Sequence, residues 1–155
     1  MSRSEAYRAI ALALAQAGQA EQALAAAGQI AEAKERSEAY AGIASVFTQA
    51  GQAEQALAAA GQIAEAKERS EVYRVIASAL AQSGDKLRAQ EVFTRALEAA
   101  RQIRNASSRY DALWRIPLAA AEVGAGELAQ QLVLYEPPVG RGENLPPIMD
   151  ALAQQ

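Results

Sequence analysis

A block of 23 residues that occurs twice, letter for letter, constrains this chain more than any other feature. QAGQAEQALAAAGQIAEAKERSE runs from Gln16 to Glu38 and again from Gln49 to Glu71, an offset of 33 residues. Self-similarity at a period of about 20–50 residues is typical of stacked-repeat proteins, in which each repeat is one small structural unit. The duplication therefore predicts a stacked-repeat architecture.

The composition indicates that the repeated unit is helical. The chain has 155 residues, of which 51% are apolar but only 5% aromatic, and the apolar residues are mostly alanine. Alanine, leucine, glutamine, glutamate and arginine lose little side-chain freedom in a helix. We therefore expect one all-α domain whose alanine-rich helices pack closely.

The residues that are missing limit the possible chemistry. The sequence contains neither cysteine nor histidine, which removes disulfides, thiolate and imidazole catalysis, and most zinc or haem ligation. No run reaches the roughly 20 apolar residues of a membrane helix, and MSRSEAYRAI does not resemble a secretory signal. We expect a cytoplasmic protein that needs no cofactor and does not enter membranes.

Aligning on the duplicated block divides the chain into four units, followed by a tail. In each unit a serine precedes a tyrosine by three residues, and because serine is a favourable helix N-cap we expect a helix to begin there. These pairs are Ser4/Tyr7, Ser37/Tyr40, Ser70/Tyr73 and Ser107/Tyr110. The repeat array covers residues 1–136, with units at about 4–36, 37–69, 70–106 and 107–136, and 137–155 is predicted to be a proline-rich loop and short helix.

Within each unit the spacing predicts two helices joined at a glycine. Gly18, Gly51 and Gly84 follow an apolar stripe of three-to-four spacing, where a left-handed residue can end a helix. A second helix follows and is expected to end in the segment AKER, with exposed pairs such as Glu32 and Arg36 on its surface.

The last two units depart from this pattern. The third unit carries seven extra residues after its glycine, almost two helical turns, which predicts a longer second helix with the same buried face. In the fourth unit Pro117 is expected to kink or interrupt the first helix, and Trp114 to pack rather than bind a ligand. ELAQQLVLYE is predicted to form the last full helix of a degenerate capping repeat.

The pattern resembles the tetratricopeptide repeat, with units one residue shorter than that family's 34. The third unit matches the family pattern well, through an aromatic, a large and a small apolar residue on its first helix and Ala-Phe-Ala on its second. The matching positions are Tyr73, Ile76, Ala77, Leu80, Ala89, Phe93 and Ala96. The resemblance implies a right-handed α-solenoid, about three full repeats and a cap, whose first helices line a concave groove for peptides or partner helices.

Placing this sequence on that geometry gives the candidate groove residues. They are Arg8, Leu12, Ala41, Ser45, Arg74, Ser78 and Arg115, with Glu5, Glu38 and Glu71 toward the rim. The family's clamp of lysines and asparagines for a terminal carboxylate is not present at these positions. Arg8 and Arg74 allow two interpretations, an ordinary solvated helix face or pairing with carboxylates of a bound peptide.

Four classes of function follow from this interpretation. The leading hypothesis is a non-enzymatic scaffold that binds a protein or peptide, as a monomer or with weak self-association. The alternative is a purely structural, self-associating or engineered array without a specific ligand. Nucleic-acid binding is disfavoured by the net charge of −3 and by the absence of regular base-reading residues. An enzyme is disfavoured because no nucleophile–base set or phosphate-binding loop is found in the sequence.

Overall fold

The computed structural model of the chain describes residues 1–135, and this part contains eight α-helices and no strand. The all-α prediction is confirmed for these residues, whereas the predicted loop and helix at 137–155 lie outside them. The helices are α1 (Arg3–Gln16), α2 (Ala20–Gly28), α3 (Ala33–Gln49), α4 (Ala53–Gly61), α5 (Ala66–Gln82), α6 (Lys86–Arg101), α7 (Ala106–Glu122) and α8 (Gly126–Tyr135).

The helices belong to two compact bodies. The N-terminal body is Met1–Val72 and the C-terminal body begins at Tyr73, so the division falls within α5. In the N-terminal body α1 packs on α2 and α3 on α4, and α3 also packs on both α1 and α2. In the C-terminal body α7 packs on α8 and α6 on α7. Within each body the successive helices of these pairs are packed as neighbours, which is compatible with a helical repeat.

A glycine with positive φ ends the first helix of each pair. At Gly51 φ is 73°, its N–H donates to the Thr48 carbonyl at 3.1 Å, and the Gln52 N–H donates to the Phe47 carbonyl at 2.8 Å. This pair of bonds satisfies carbonyls at the helix end and needs a residue that tolerates the left-handed region. The turn predicted at Gly18, Gly51 and Gly84 is confirmed, and Gly124 repeats it with φ of 80°.

The helices do not begin at the serines where the sequence predicted their starts. α1 begins at Arg3, where Ser2, not Ser4, caps the helix by accepting a hydrogen bond from the Glu5 N–H at 3.1 Å. α3 begins at Ala33, so that AKER forms its first turn and Ser37 lies inside the helix, buried. The segment is rich in good helix formers, which let the helix extend toward the N-terminus past the serine.

In α3, α5 and α7 an arginine of the first turn donates hydrogen bonds to backbone carbonyls that follow the end of the preceding helix. The Arg36 Nη1 donates to the carbonyls of Ile30 at 2.8 Å and Ala31 at 3.2 Å. Arg69 and Arg109 make the same contacts six and five residues back. Arg36 is therefore not merely part of a solvated surface pair with Glu32, because its positive charge lies at the C-terminal end of α2, where the helix dipole favours it.

The core of the N-terminal body is built mainly from alanine with a few large side chains. Ile43 and Phe47 of α3 are fully buried, Tyr40 is nearly so, and Ile30 and Ile63 fill the ends of the two pairs. The Tyr40 hydroxyl lies 3.3 Å from where a Cβ on Gly28 would be. Gly28 ends α2, so the absence of a side chain there lets the Tyr40 hydroxyl of α3 lie close to that helix end.

The C-terminal body confirms the longer helix predicted for the third unit. α6 has 16 residues, seven more than the nine of α2 or α4, and it keeps Phe93 and Leu97 fully buried. In α7 the helix is not interrupted at Pro117, which is itself buried between Leu113 and Ala120 on the packed face. Tertiary packing on both sides of the proline holds the helix together despite its missing N–H.

We expect Arg36→Ala to lower the free energy of unfolding by about 1–2 kcal/mol, because two carbonyls lose a charged donor. Lys34→Ala, exposed in the same turn of α3, is the matched control and should change this free energy by less than about 0.5 kcal/mol. Urea unfolding followed by circular dichroism measures both variants. Equal effects of the two substitutions would contradict a fastening role for the arginine.

Candidate functional site

The predicted groove residues of the N-terminal body lie on two helices in contact. Arg8 and Leu12 belong to α1, and Ala41 and Ser45 belong to α3. A Cβ added at Gly42 would meet Leu12 Cδ2 at 2.9 Å, closer than such atoms normally approach. The absence of a side chain at Gly42 therefore lets Leu12 lie against the backbone of α3.

Arg8 is engaged within the chain. Its Nη1 lies 3.5 Å from Glu38 Oε2, with the two side chains 50% and 39% exposed. The pair joins α1 to α3 and links a predicted groove residue with a predicted rim residue. An ion pair this exposed contributes at most about 1 kcal/mol, so a ligand carboxylate could compete with Glu38 for the guanidinium.

The predicted groove residues of the C-terminal body differ in how their charges are satisfied. Arg115 is exposed on α7, with Nη2 3.7 Å from Asp111 Oδ2 and its guanidinium carbon 5.6 Å from the centroid of the Trp114 ring. Arg74, on α5 with Ser78, is half-buried and makes no hydrogen bond or ion pair with any residue of 1–135. Within the described chain Arg74 is thus the groove candidate whose charge is available to a ligand.

Four glutamates of the N-terminal body lie near one another at the start of α5. Burial raises the pKa of Glu68, and the negative charges of Glu65, Glu38 and Glu71 raise that pKa further. Glu38 and Glu71 are two of the predicted rim residues, so the rim here concentrates negative charge. Glu68 could not be singled out from the sequence, because it and its counterpart Glu35 lie in identical sequence contexts within the duplicated block.

A cavity of about 370 Å³ lies in the C-terminal body, near the first turns of α6 and α8. It is open to solvent and carries one charge of each sign, Lys86 and Glu127, together with the amides of Gln90 and Gln131. None of the predicted groove residues lines it. It could not be found from the sequence, because its walls come from the ends of three helices whose meeting depends on tertiary packing.

Two further properties of residues 1–135 bear on function. No set of three acidic, cysteine or histidine side chains there is placed to hold a metal ion. No helix in the same range combines the length and apolar character needed to cross a membrane.

The described chain is therefore an all-helical protein of paired helices with a repeat-like architecture. It is similar to the crystal structure of Ton1535 from Thermococcus onnurineus NA1, with a TM-score of 0.51 and 20% sequence identity. The match covers 94% of this chain but 44% of that one, so the chain spans less than half the length of the solved structure. No family model matches the sequence, and no curated protein is significantly similar to it. A likeness at this identity concerns the fold alone.

We expect Glu68→Gln to raise the melting temperature at pH 7. Since the pKa of Glu68 is raised above 4.5 in the folded protein, the ionised carboxylate opposes folding, and stability falls as pH rises above 4.5 through the raised pKa. The advantage of the glutamine variant should therefore disappear at pH 4 and below. Thermal unfolding of both proteins across this pH range measures the difference.

Glu21→Gln is the control for this experiment. Glu21 is exposed in the first turn of α2, where a negative charge is favourable to the helix dipole. Its removal should lower the melting temperature slightly at pH 7. A lower melting temperature for Glu68→Gln as well would show that the ionised, partly buried carboxylate of Glu68 does not oppose folding.

Proposed function

We propose that the chain is a non-enzymatic interaction module that binds an acidic peptide or partner helix at the exposed face of α5 around Arg74. The proposal includes the finer architecture implied by the sequence, a tetratricopeptide-like right-handed solenoid. The paired helices and the similarity to another helical structure support that architecture.

The observation that carries the proposal is the state of Arg74. A half-buried guanidinium has lost part of its hydration, and it usually regains favourable contacts by pairing with a carboxylate. No residue in 1–135 provides one. A peptide carboxylate would satisfy Arg74, and nearby Ser78 offers a hydroxyl that can donate or accept a hydrogen bond.

The surroundings of Arg74 favour a peptide over a small anion or a nucleic acid. On the helix surface Arg74 and Ser78 are one turn apart, and Val75 beside them is about half exposed. A peptide can place a carboxylate and an apolar side chain on these two features at once. The net charge of −3 opposes binding of a polyanion, and the absence of cysteine and histidine from the sequence supports the non-enzymatic part of the proposal.

We expect selection from a displayed library of random peptides to yield acidic sequences that bind the full chain with micromolar affinity. Arg74→Glu should weaken these peptides at least about tenfold, because a carboxylate would then face a like charge. Titration calorimetry with the selected peptides measures both proteins. A selection that yields no micromolar binder would sink the proposal.

Arg104→Glu is the matched control, since Arg104 is exposed in the connection between α6 and α7 and lies outside α5. It makes the same change of net charge as Arg74→Glu. We expect its peptide affinity to stay within about threefold of the wild type, as for a charge outside the contact. Equal losses in the two variants would indicate non-specific attraction of acidic peptides and would contradict a site at Arg74.

A further inference from the structure

One isoleucine of the repeat is exposed although its equivalents are buried. Ile10 of α1 is 50% exposed, whereas Ile43 of α3 and Ile76 of α5, each 33 residues further along, are 0% and 1% exposed. All three follow a tyrosine by three residues and precede an alanine. The sequence pattern is shared, so the difference arises from what packs on each helix.

The N-terminal body shows what covers this pattern where it is buried. α3 carries Tyr40, Ile43 and Phe47 on one face, and it packs against both α1 and α2. The corresponding residues of α1, which we call the α1 outer face, are Tyr7, Ile10 and Leu14. Tyr7 and Leu14 are only half-buried, beside the exposed Ile10. The α1 outer face is thus the kind of face that α3 buries, without the helices that would cover it.

We propose that the α1 outer face is a self-association surface, covered in solution by the same face of a second copy of this chain. Within the N-terminal body α3, which carries the buried equivalent of this face, packs on α1 and α2, so helices of this chain pack against a helix with this pattern. A single exposed apolar residue is ordinary on a protein surface. The comparison with two buried equivalents is what sets Ile10 apart.

The composition of α1 favours a symmetric pair. Its charges, Arg3, Glu5 and Arg8, all lie in its first half, and residues 9–17 carry none. A two-fold axis brings identical groups together, so an interface near that axis must avoid like charges. Ala9 and Ala13 are exposed beside Ile10, and their small side chains let a second helix approach closely while Ile10 packs between them.

Sedimentation equilibrium of the full chain tests the proposal. We expect the wild type to show a reversible monomer–dimer equilibrium, and Ile10→Glu to weaken dimerisation at least about tenfold. Leu87→Glu is the control, because Leu87 of α6 is 82% exposed and lies outside the α1 outer face; it should dimerise as the wild type does. A wild type that stays monomeric to about 0.1 mM, or an Ile10→Glu variant that dimerises normally, would overturn the proposal.

Two controls show whether a loss of dimerisation arises from unfolding or from the peptide site instead of from the α1 outer face. Circular dichroism melting should show that Ile10→Glu folds, since the position is half exposed, and Ile10→Ala should weaken the dimer in the same direction with less disturbance. Arg74→Glu should leave dimerisation unchanged, which separates this proposal from the peptide site. If Ile10→Ala folds normally and dimerises as tightly as wild type, the α1 outer face is not the interface.

The absence of cysteine from the chain allows a direct test of the symmetric contact. In Ile10→Cys two copies related by a two-fold axis bring their new thiols close, and mild oxidation should yield a disulfide-linked dimer. Leu87→Cys is more exposed but is expected to link only through random collisions, and therefore more slowly. If Ile10→Cys formed the disulfide no faster than Leu87→Cys, or if the wild type formed oligomers larger than dimers, the symmetric pair would be contradicted.

Discussion

Contact between alanine side chains is the constraint on which the rest of this structure depends. Most buried residues of the N-terminal body are alanines, which lose no rotamer freedom on burial and let helices approach closely. Each such contact removes little apolar area from water, and at about 25 cal/mol per Å² it contributes little by itself. The fold therefore also needs Ile43 and Phe47 as larger fillers, and it needs the helix ends to be fixed. Glycine turns fix the connection between the two helices of a pair, and arginines such as Arg36 fix the connection from one pair to the next.

The features that sequence reasoning predicted correctly are those decided by local physics. A glycine such as Gly51 after an apolar stripe ends a helix because almost no other residue tolerates its φ. The longer α6 followed from the seven inserted residues, since nearly two helical turns keep Phe93 and Leu97 on the packed face. Both predictions depend only on residues close in the chain, so no tertiary information was needed to make them.

The predictions that failed depended on contacts between helices. Serine is a good N-cap, but a buried serine inside a helix looks the same in a sequence, and Ser37 is of the second kind. The segment AKER suits the end of one helix as well as the start of the next, because its lysine and arginine are favourable at a helix C-terminus. In the structure Arg36 does neutralise a helix C-terminus, but from the first turn of the following helix. The sequence pattern indicated the interaction and not the helix to which the arginine belongs. Of the groove residues, it located Arg8 and Arg74 on first helices but gave no sign that Arg8 pairs with Glu38 while Arg74 has no ion-pair partner within residues 1–135.

Identical sequence does not produce identical chemistry along a repeat, because each copy meets different neighbours. Glu68 lies in the second copy of the duplicated block, and the charges that raise its pKa come partly from Glu38, in the preceding copy. Ile10 and Ile43 share a pattern, yet Ile10 is half exposed and Ile43 is fully buried. A repeat buries its apolar face only where a neighbouring repeat packs on that face. Where a copy departs from the pattern or has no helix packed on its apolar face, exposed apolar surface and charge without an ion-pair partner remain, and a partner can gain binding energy at those places.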